Sequence, residues 1–175
     1  MINLSLFYLV QTVINYKEQF YNFYDSYQPM VYSLCLGYMK GQTEMAQDLT
    51  QEIFINVWKA LPNFRQEASP KTWIYRISVN TCLLHLRKFK RMQADYISES
   101  HESIPQEATN KDDFDELYYV IGLLPEVDRI IITLVLDEVK YDEMATILGI
   151  AEGTLRVRIH RIKQKLNDLM RNNGR

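Results

Sequence analysis

Apolar residues in this chain recur at intervals of three and four along most of its length, a period that a helix satisfies and a strand does not. From Phe20 the series runs through Phe23, Tyr24, Tyr27, Val31 and Leu34. No stretch of the 175 residues alternates apolar and polar side chains between turn signals, so no sheet is expected. The chain reads as all-α.

The periodicity predicts helices over about 20–39, 43–60, 71–91, 113–123, 125–138, 141–148 and 152–171. Gly41 stops the first, Thr43 is placed to cap the second, and Leu61-Pro62 ends it. A polar loop, 62–70, leads into the third. Pro125 suits the first turn of its helix, and Gly149 suits a C-terminal cap. The pattern fails once, from Gln93 to Lys111, where Ser, Glu, Pro and Thr replace apolar residues with the composition of a flexible linker. The expected organisation is therefore an N-terminal extension (1–19), a helical domain (20–92), an acidic linker (93–112) and a second helical domain (113–175). The apolar stretch Met1–Ile14 is too short to span a bilayer. It also lacks the basic start and cleavage site of a signal peptide, so the chain reads as cytoplasmic.

The net charge of −2 hides a strong segregation. Residues 1–92 hold 10 Lys+Arg against 6 Asp+Glu, residues 93–152 hold 3 against 15, and residues 153–175 hold 7 against 1. Two basic blocks flank an acidic one. Basic helices are the footprint of a polyanion; either block alone reads better as a solvated face, and the pattern as a whole reads as interaction surfaces. Two Cys and three scattered His offer no disulfide framework and no metal-ligand spacing. No nucleophile–base pair or phosphate-cradling glycine loop is visible, so neither an enzyme, a cofactor nor a small-molecule substrate is expected.

The strongest local signal lies in 141–171. A short helix, a turn at Gly149 and a longer basic helix form a helix-turn-helix pattern. Ala145 lets the two helices approach, while Met144, Leu148, Ile150 and Leu155 supply the joint. On a helical wheel Leu155, Ile159, Ile162, Leu166 and Leu169 form one stripe; Val157, His160, Arg161 and Gln164 lie opposite, flanked by Arg156, Arg158, Lys163 and Lys165. Such a helix suits the DNA major groove, with arginines for guanine edges or phosphates and Val157 for a thymine methyl. The competing reading is an amphipathic bundle helix with a basic surface.

In the third helix Arg76, Asn80, Arg87 and Arg91 share a sector that could track phosphates. Phe64, Trp73 and Tyr75 lie close by, and aromatics beside a basic groove can stack on unpaired bases. Tyr75 reads as a core residue; Trp73 fits either role. In the second helix Asp48, Gln51 and Glu52 share a face, suited to another protein or simply to water.

These elements, in this order, resemble the extracytoplasmic-function sigma factors, the small two-domain initiation factors of bacterial RNA polymerase. The run Asp48-Leu49-Thr50-Gln51-Glu52-Ile53-Phe54 is similar to the family's D-x-x-Q-E-x-F signature. Phe64-Arg65, then Thr72-Trp73-Ile74-Tyr75-Arg76-Ile77 and Asn80, resemble its promoter-melting and −10-reading segment. Gly149-Ile150 with Gly153 to Arg161 resembles its −35-reading helix. Two positions depart from the family's habit: Val157, commonly Ser, and Pro70.

The resemblance implies a fold of two domains, region 2-like and region 4-like, and a function in promoter-specific initiation. It implies that Asp48, Gln51 and Glu52 contact the clamp coiled coil of core RNA polymerase. Phe64, Arg65, Trp73, Arg76, Asn80 and Arg87 would open and hold the melted −10 DNA. Thr154, Arg156, Val157, Arg158, His160 and Arg161 would meet the −35 duplex. It also implies an anti-sigma factor, often membrane-anchored. The residues alone leave two alternatives, a stand-alone helix-turn-helix regulator and a helical protein adaptor.

Overall fold

The computed structural model describes the backbone of residues 4–96 and 113–173. These residues form seven α-helices: α1 (Leu4–Tyr38), α2 (Thr43–Ala60), α3 (Pro70–Tyr96), α4 (Asp113–Gly122), α5 (Glu126–Leu136), α6 (Tyr141–Leu148) and α7 (Glu152–Asn173). No strand occurs among the described residues. Residues 97–112, most of the segment read as a linker, lie outside them.

Several boundaries differ from the sequence reading, each for a local reason. From Leu4 onward the segment read as an N-terminal extension is continuous with the first helix of the domain: α1 runs unbroken through Pro29 to Tyr38. Thr43 is the first residue of α2 rather than its cap. Gln42 occupies the cap position with extended backbone and no side-chain hydrogen bond. Leu61–Asn63 add a 3₁₀ turn after α2, with Pro62 placed where its missing N–H costs nothing. α3 starts at Pro70 because Ser69 caps it. The Ser69 hydroxyl accepts from the Thr72 amide at 3.1 Å and bonds the Thr72 hydroxyl at 2.8 Å. α3 then runs to Tyr96, past the expected end at Arg91. Pro125 caps α5 rather than opening it. Gly149 ends α6 with φ 68°, as its lack of a Cβ permits.

The apolar faces of α1, α2 and α3 meet in a core of Val31, Leu34, Ile53, Phe54, Val57, Ile74, Tyr75 and Val79. A second set, Ile121, Leu124, Ile130, Ile131, Leu134, Met144, Leu155, Ile159 and Ile162, comes from α4 to α7. Each such side chain, fully buried, stabilises the fold by about 1.5–3 kcal/mol relative to an exposed one. The two sets join in one continuous core, because α1 packs on α4 and α5 while α3 packs on α5 and α6. Arg129 of α5 is buried at this junction. Its guanidinium donates to the carbonyls of Gly122 and Leu124, closing the end of α4, and lies 5.7 Å from the Tyr38 ring centroid. Cys35 and Cys82 are buried and form no disulfide. No described helix is long and apolar enough to cross a membrane.

Candidate nucleic-acid interface

The α6–α7 pair is built as its sequence demands. Leu155, Ile159 and Ile162 are buried against α6 and the neighbouring helices, with Leu166 and Leu169 packed at the margin. That seats one side of α7 and turns the other outward. Thr154, Val157, His160 and Arg161 are exposed there, Val157 at 53 %. An exposed valine between a histidine and an arginine gives this face an apolar group, an imidazole and a guanidinium within one helical turn, the mixture that base edges in a major groove present in complement.

The remaining two arginines of this set are held differently. Arg158 turns back to α5, where its Nε donates to the Asp128 carboxylate at 2.7 Å; Asp128 is only 18 % exposed. Arg156 is bound by Glu152, one turn earlier on α7, and its guanidinium lies 4.9 Å from the Tyr141 ring centroid on α6. Both arginines therefore fix α7 against its own supports, and the outer face is carried by Val157, His160 and Arg161. Periodicity places Arg156 one turn after Glu152, a pairing the i,i+4 spacing makes legible, whereas Asp128, 30 residues before Arg158, comes within reach only in the fold.

The aromatic set near α3 is a closed cluster. The Phe64 and Trp73 rings lie 4.6 Å apart at 38°, and Phe23 of α1 meets Phe64 edge-on at 5.7 Å and Trp73 at 6.3 Å. Phe23 was legible only as a core residue; its place under this pair is a tertiary fact. Trp73 is partly buried, so it serves both packing and surface. Tyr75 is fully buried, as expected, and its hydroxyl donates to the Asp137 carboxylate at 3.0 Å. Burial and the neighbouring carboxylate push that phenol well above its ordinary range. Arg65 is 83 % exposed on the loop, 3.9 Å from Glu67. Arg76, Asn80 and Arg87 are exposed along α3. Arg76 and Asn80, with Trp73 and Ile77, line one wall of a cleft of about 480 Å³; Thr146, Ile147, Leu148 and Gly149 line the other.

On α2, Asp48, Gln51 and Glu52 are exposed on the face opposite the buried Leu49, Ile53 and Val57. Ile55 and Trp58, 52 % and 42 % exposed, extend this face with apolar surface. A row of acidic and apolar groups on one helix suits a protein partner better than an anionic one. Among the described residues no group of three or more His, Cys, Asp or Glu could hold a metal.

Residues 23–92 match the family model described as sigma-70 region 2, and residues 114–166 match that described as sigma-70, region 4. The chain is 34% identical over 157 residues to the ECF RNA polymerase sigma-E factor of Escherichia coli K12, covering 81% of each. It is 29% identical over 143 residues to the ECF RNA polymerase sigma factor SigE of Mycolicibacterium smegmatis, covering 75% of this chain but 54% of that protein. Thus it spans about half the length of the mycobacterial relative and most of the enterobacterial one. In fold it is similar to the sigma factor RpoE solved in complex with the anti-sigma factor NepR from Bartonella quintana. The TM-score is 0.74 at 22% identity, over 88% of this chain and 98% of that one.

Proposed function

Because this chain belongs to the extracytoplasmic-function sigma factors of the sigma-70 family, we propose that it binds core RNA polymerase and directs initiation at particular promoters through three separate surfaces. The observation that carries the reading is their order and separation. An acidic and apolar face on α2, an aromatic and basic segment from Phe64 to Arg87, and the exposed turn of α7 lie in that order along the chain and expose different chemistry.

Asp48, Gln51 and Glu52 dock on the polymerase, with Ile55 and Trp58 beside them. The Phe64–Trp73 cluster stacks on a base that has left the duplex, an interaction worth about 1–3 kcal/mol per base. Arg65, Arg76 and Arg87 hold the phosphates of the same strand, and Asn80 offers a donor and an acceptor to a base edge. Val157, His160 and Arg161 read the upstream duplex in its major groove, with Thr154 at the start of α7 close to the backbone. The chemistry of chain synthesis belongs to the polymerase; this chain positions and opens DNA. Its place of action is the cytoplasm, and an anti-sigma factor, membrane-anchored or free, is its regulatory partner.

The test is co-elution of the purified chain with bacterial core RNA polymerase on a sizing column without DNA, followed by initiation assays on promoters selected in vitro. Stoichiometric co-elution and promoter-specific transcripts are expected. Tight duplex binding by the free chain, with no polymerase complex, would overturn the reading in favour of a stand-alone regulator.

A further inference from the structure

The outer face of α7 has a gap in its first turns. Gly153 and Val157 are four residues apart, so they lie one above the other on the same side of the helix, and both are exposed. Every Cα–Cβ bond of an α-helix tilts towards the N-terminus. The Val157 isopropyl group therefore leans over the backbone at Gly153, where no side chain stands. A Cβ placed on Gly153 would meet nothing within 4 Å, so the gap is open to whatever approaches the helix. The packing of this chain gives no reason for glycine there. Gly149 is explained by its left-handed backbone, and Gly37 by the Thr133 hydroxyl that a Cβ would strike. Neither reason applies at Gly153, which stands in the first turn of a helix although glycine is the poorest helix former after proline.

The surroundings keep this notch clear. Arg156 is held by Glu152 and lies over the Tyr141 ring, and Arg158 is drawn back to Asp128. Leu155 and Ile159 are buried and fix the rotation of α7 about its axis. Val157 is thus presented to an approaching groove above bare backbone, with the exposed His160 and Arg161 on the next turn. The major groove offers one apolar group, the methyl on C5 of thymine. We propose that the notch formed by Gly153 and Val157 receives the 5-methyl group of a pyrimidine, which makes Val157 the residue that specifies thymine at one base pair of the upstream duplex. Gly153 admits the methyl and Val157 contacts it. The group recognised is the methyl and not the whole base, so 5-methylcytosine, which carries it at the same place, is favoured over cytosine at that position. The inference rests on the assignment of α7 to the upstream duplex under Proposed function.

The test uses the complex of the full chain with core polymerase and a duplex carrying an upstream element selected in vitro by that complex. Each thymine is replaced in turn by deoxyuridine, which removes the 5-methyl alone. One replacement should weaken binding about fourfold, the worth of burying a single methyl-sized group. At that same position 5-methylcytosine should bind better than cytosine by about the same factor. Val157→Ser should bind the thymine and deoxyuridine duplexes alike, whereas Val157→Thr, which keeps one of the two methyl groups, should retain part of the difference. Gly153→Ala separates recognition from folding. Alanine favours the helix and strikes nothing within the chain, so Tm should not fall, yet the added methyl fills the notch and should abolish the preference for thymine over deoxyuridine. Far-UV circular dichroism checks that each variant folds. Binding indifferent to every thymine methyl would overturn the proposal, as would a methyl effect that survives Val157→Ser. An undiminished preference in Gly153→Ala would overturn the part assigned to Gly153. Failure of the functional reading looks different: the complex loses all dependence on the upstream sequence, and the proposal falls with it. Loss of the methyl effect alone leaves that reading standing.

Discussion

Arg158 separates two accounts of the same basic helix. Its position on α7 makes it a natural contact for DNA, yet its Nε donates to Asp128 at 2.7 Å, and that carboxylate is 18 % exposed while the arginine is 41 % exposed. An exposed ion pair is worth about 0.2–1 kcal/mol, whereas a hydrogen bond to a well-shielded charge reaches about 1.5–3 kcal/mol. One partner here is shielded and the other is half in water, so about 1 kcal/mol is expected. For a domain of 150–250 residues that corresponds to a fall in Tm of about 2–4 °C. Arg158→Ala and Asp128→Asn should each show it, and the double variant should lose little more than either, because the pair acts as one unit.

Binding discriminates further. An arginine on a phosphate contributes about one unit to the salt dependence of duplex affinity. If Arg158 serves the α5–α7 joint, Arg158→Ala leaves the slope of log affinity against log salt unchanged, and both variants weaken duplex binding by the same small factor. Melts followed by circular dichroism and titrations of a selected duplex at several salt concentrations measure both quantities. A slope reduced by about one unit in Arg158→Ala alone, with Asp128→Asn unaffected, would refute the structural role.

Arg161→Ala, by contrast, should lower duplex affinity by about 1–3 kcal/mol and relax the preference at one base pair without changing Tm, as read by competition with point-substituted duplexes. Glu52→Arg should abolish co-elution with core polymerase while circular dichroism stays that of the wild type; an intact complex would remove α2 from the docking surface. Ser69→Ala removes the cap of α3 and should cost about 1 kcal/mol, visible as an earlier melt, with weaker single-strand binding as the first turn holding Trp73 loosens. Burial raises the Asp137 carboxyl above its usual value near 3.8, against the lowering effects of its Tyr75 and Ser33 hydrogen bonds and of Lys71. A carboxyl raised on folding favours the folded state as pH falls from neutral towards that ordinary value, and its ionised form costs stability above the raised one. Asp137→Asn should therefore raise Tm at about pH 7, with the gain shrinking towards about pH 4; a gain that grows on acidification would contradict the sign.

Periodicity made the helices legible because burying one face dictates the spacing of apolar residues whatever that face packs against. For the same reason it left the junction of the two helix sets unread. Gly37 and Gly122 look like weak points in their helices until the opposing Thr133 and Lys40 are in view. Tyr75 was legible as core, but nothing local says that its hydroxyl meets Asp137, 62 residues later. The continuity of α1 is hidden in the sequence because the apolar pattern before Ile14 and the amphipathic pattern from Phe20 differ, while from Leu4 on the backbone crosses between them without a break.

Three carboxylates of the acidic block between the two basic ones divide their labour. Asp128 holds Arg158, Glu152 holds Arg156, and Asp137 holds Tyr75 and Ser33. Two of these neutralise the arginines that flank α7 and leave unengaged, among the described residues, the one at its outermost position, Arg161. Lys163 and Lys165, exposed on the same two flanks, keep positive charge there, so the ion pairs thin the flanking charge over the first two turns of α7 without confining it to one side. On the function proposed above, fewer free cations beside the outer face would leave a phosphate backbone fewer ways to dock and so would favour the one that brings Val157 and His160 to the base edges.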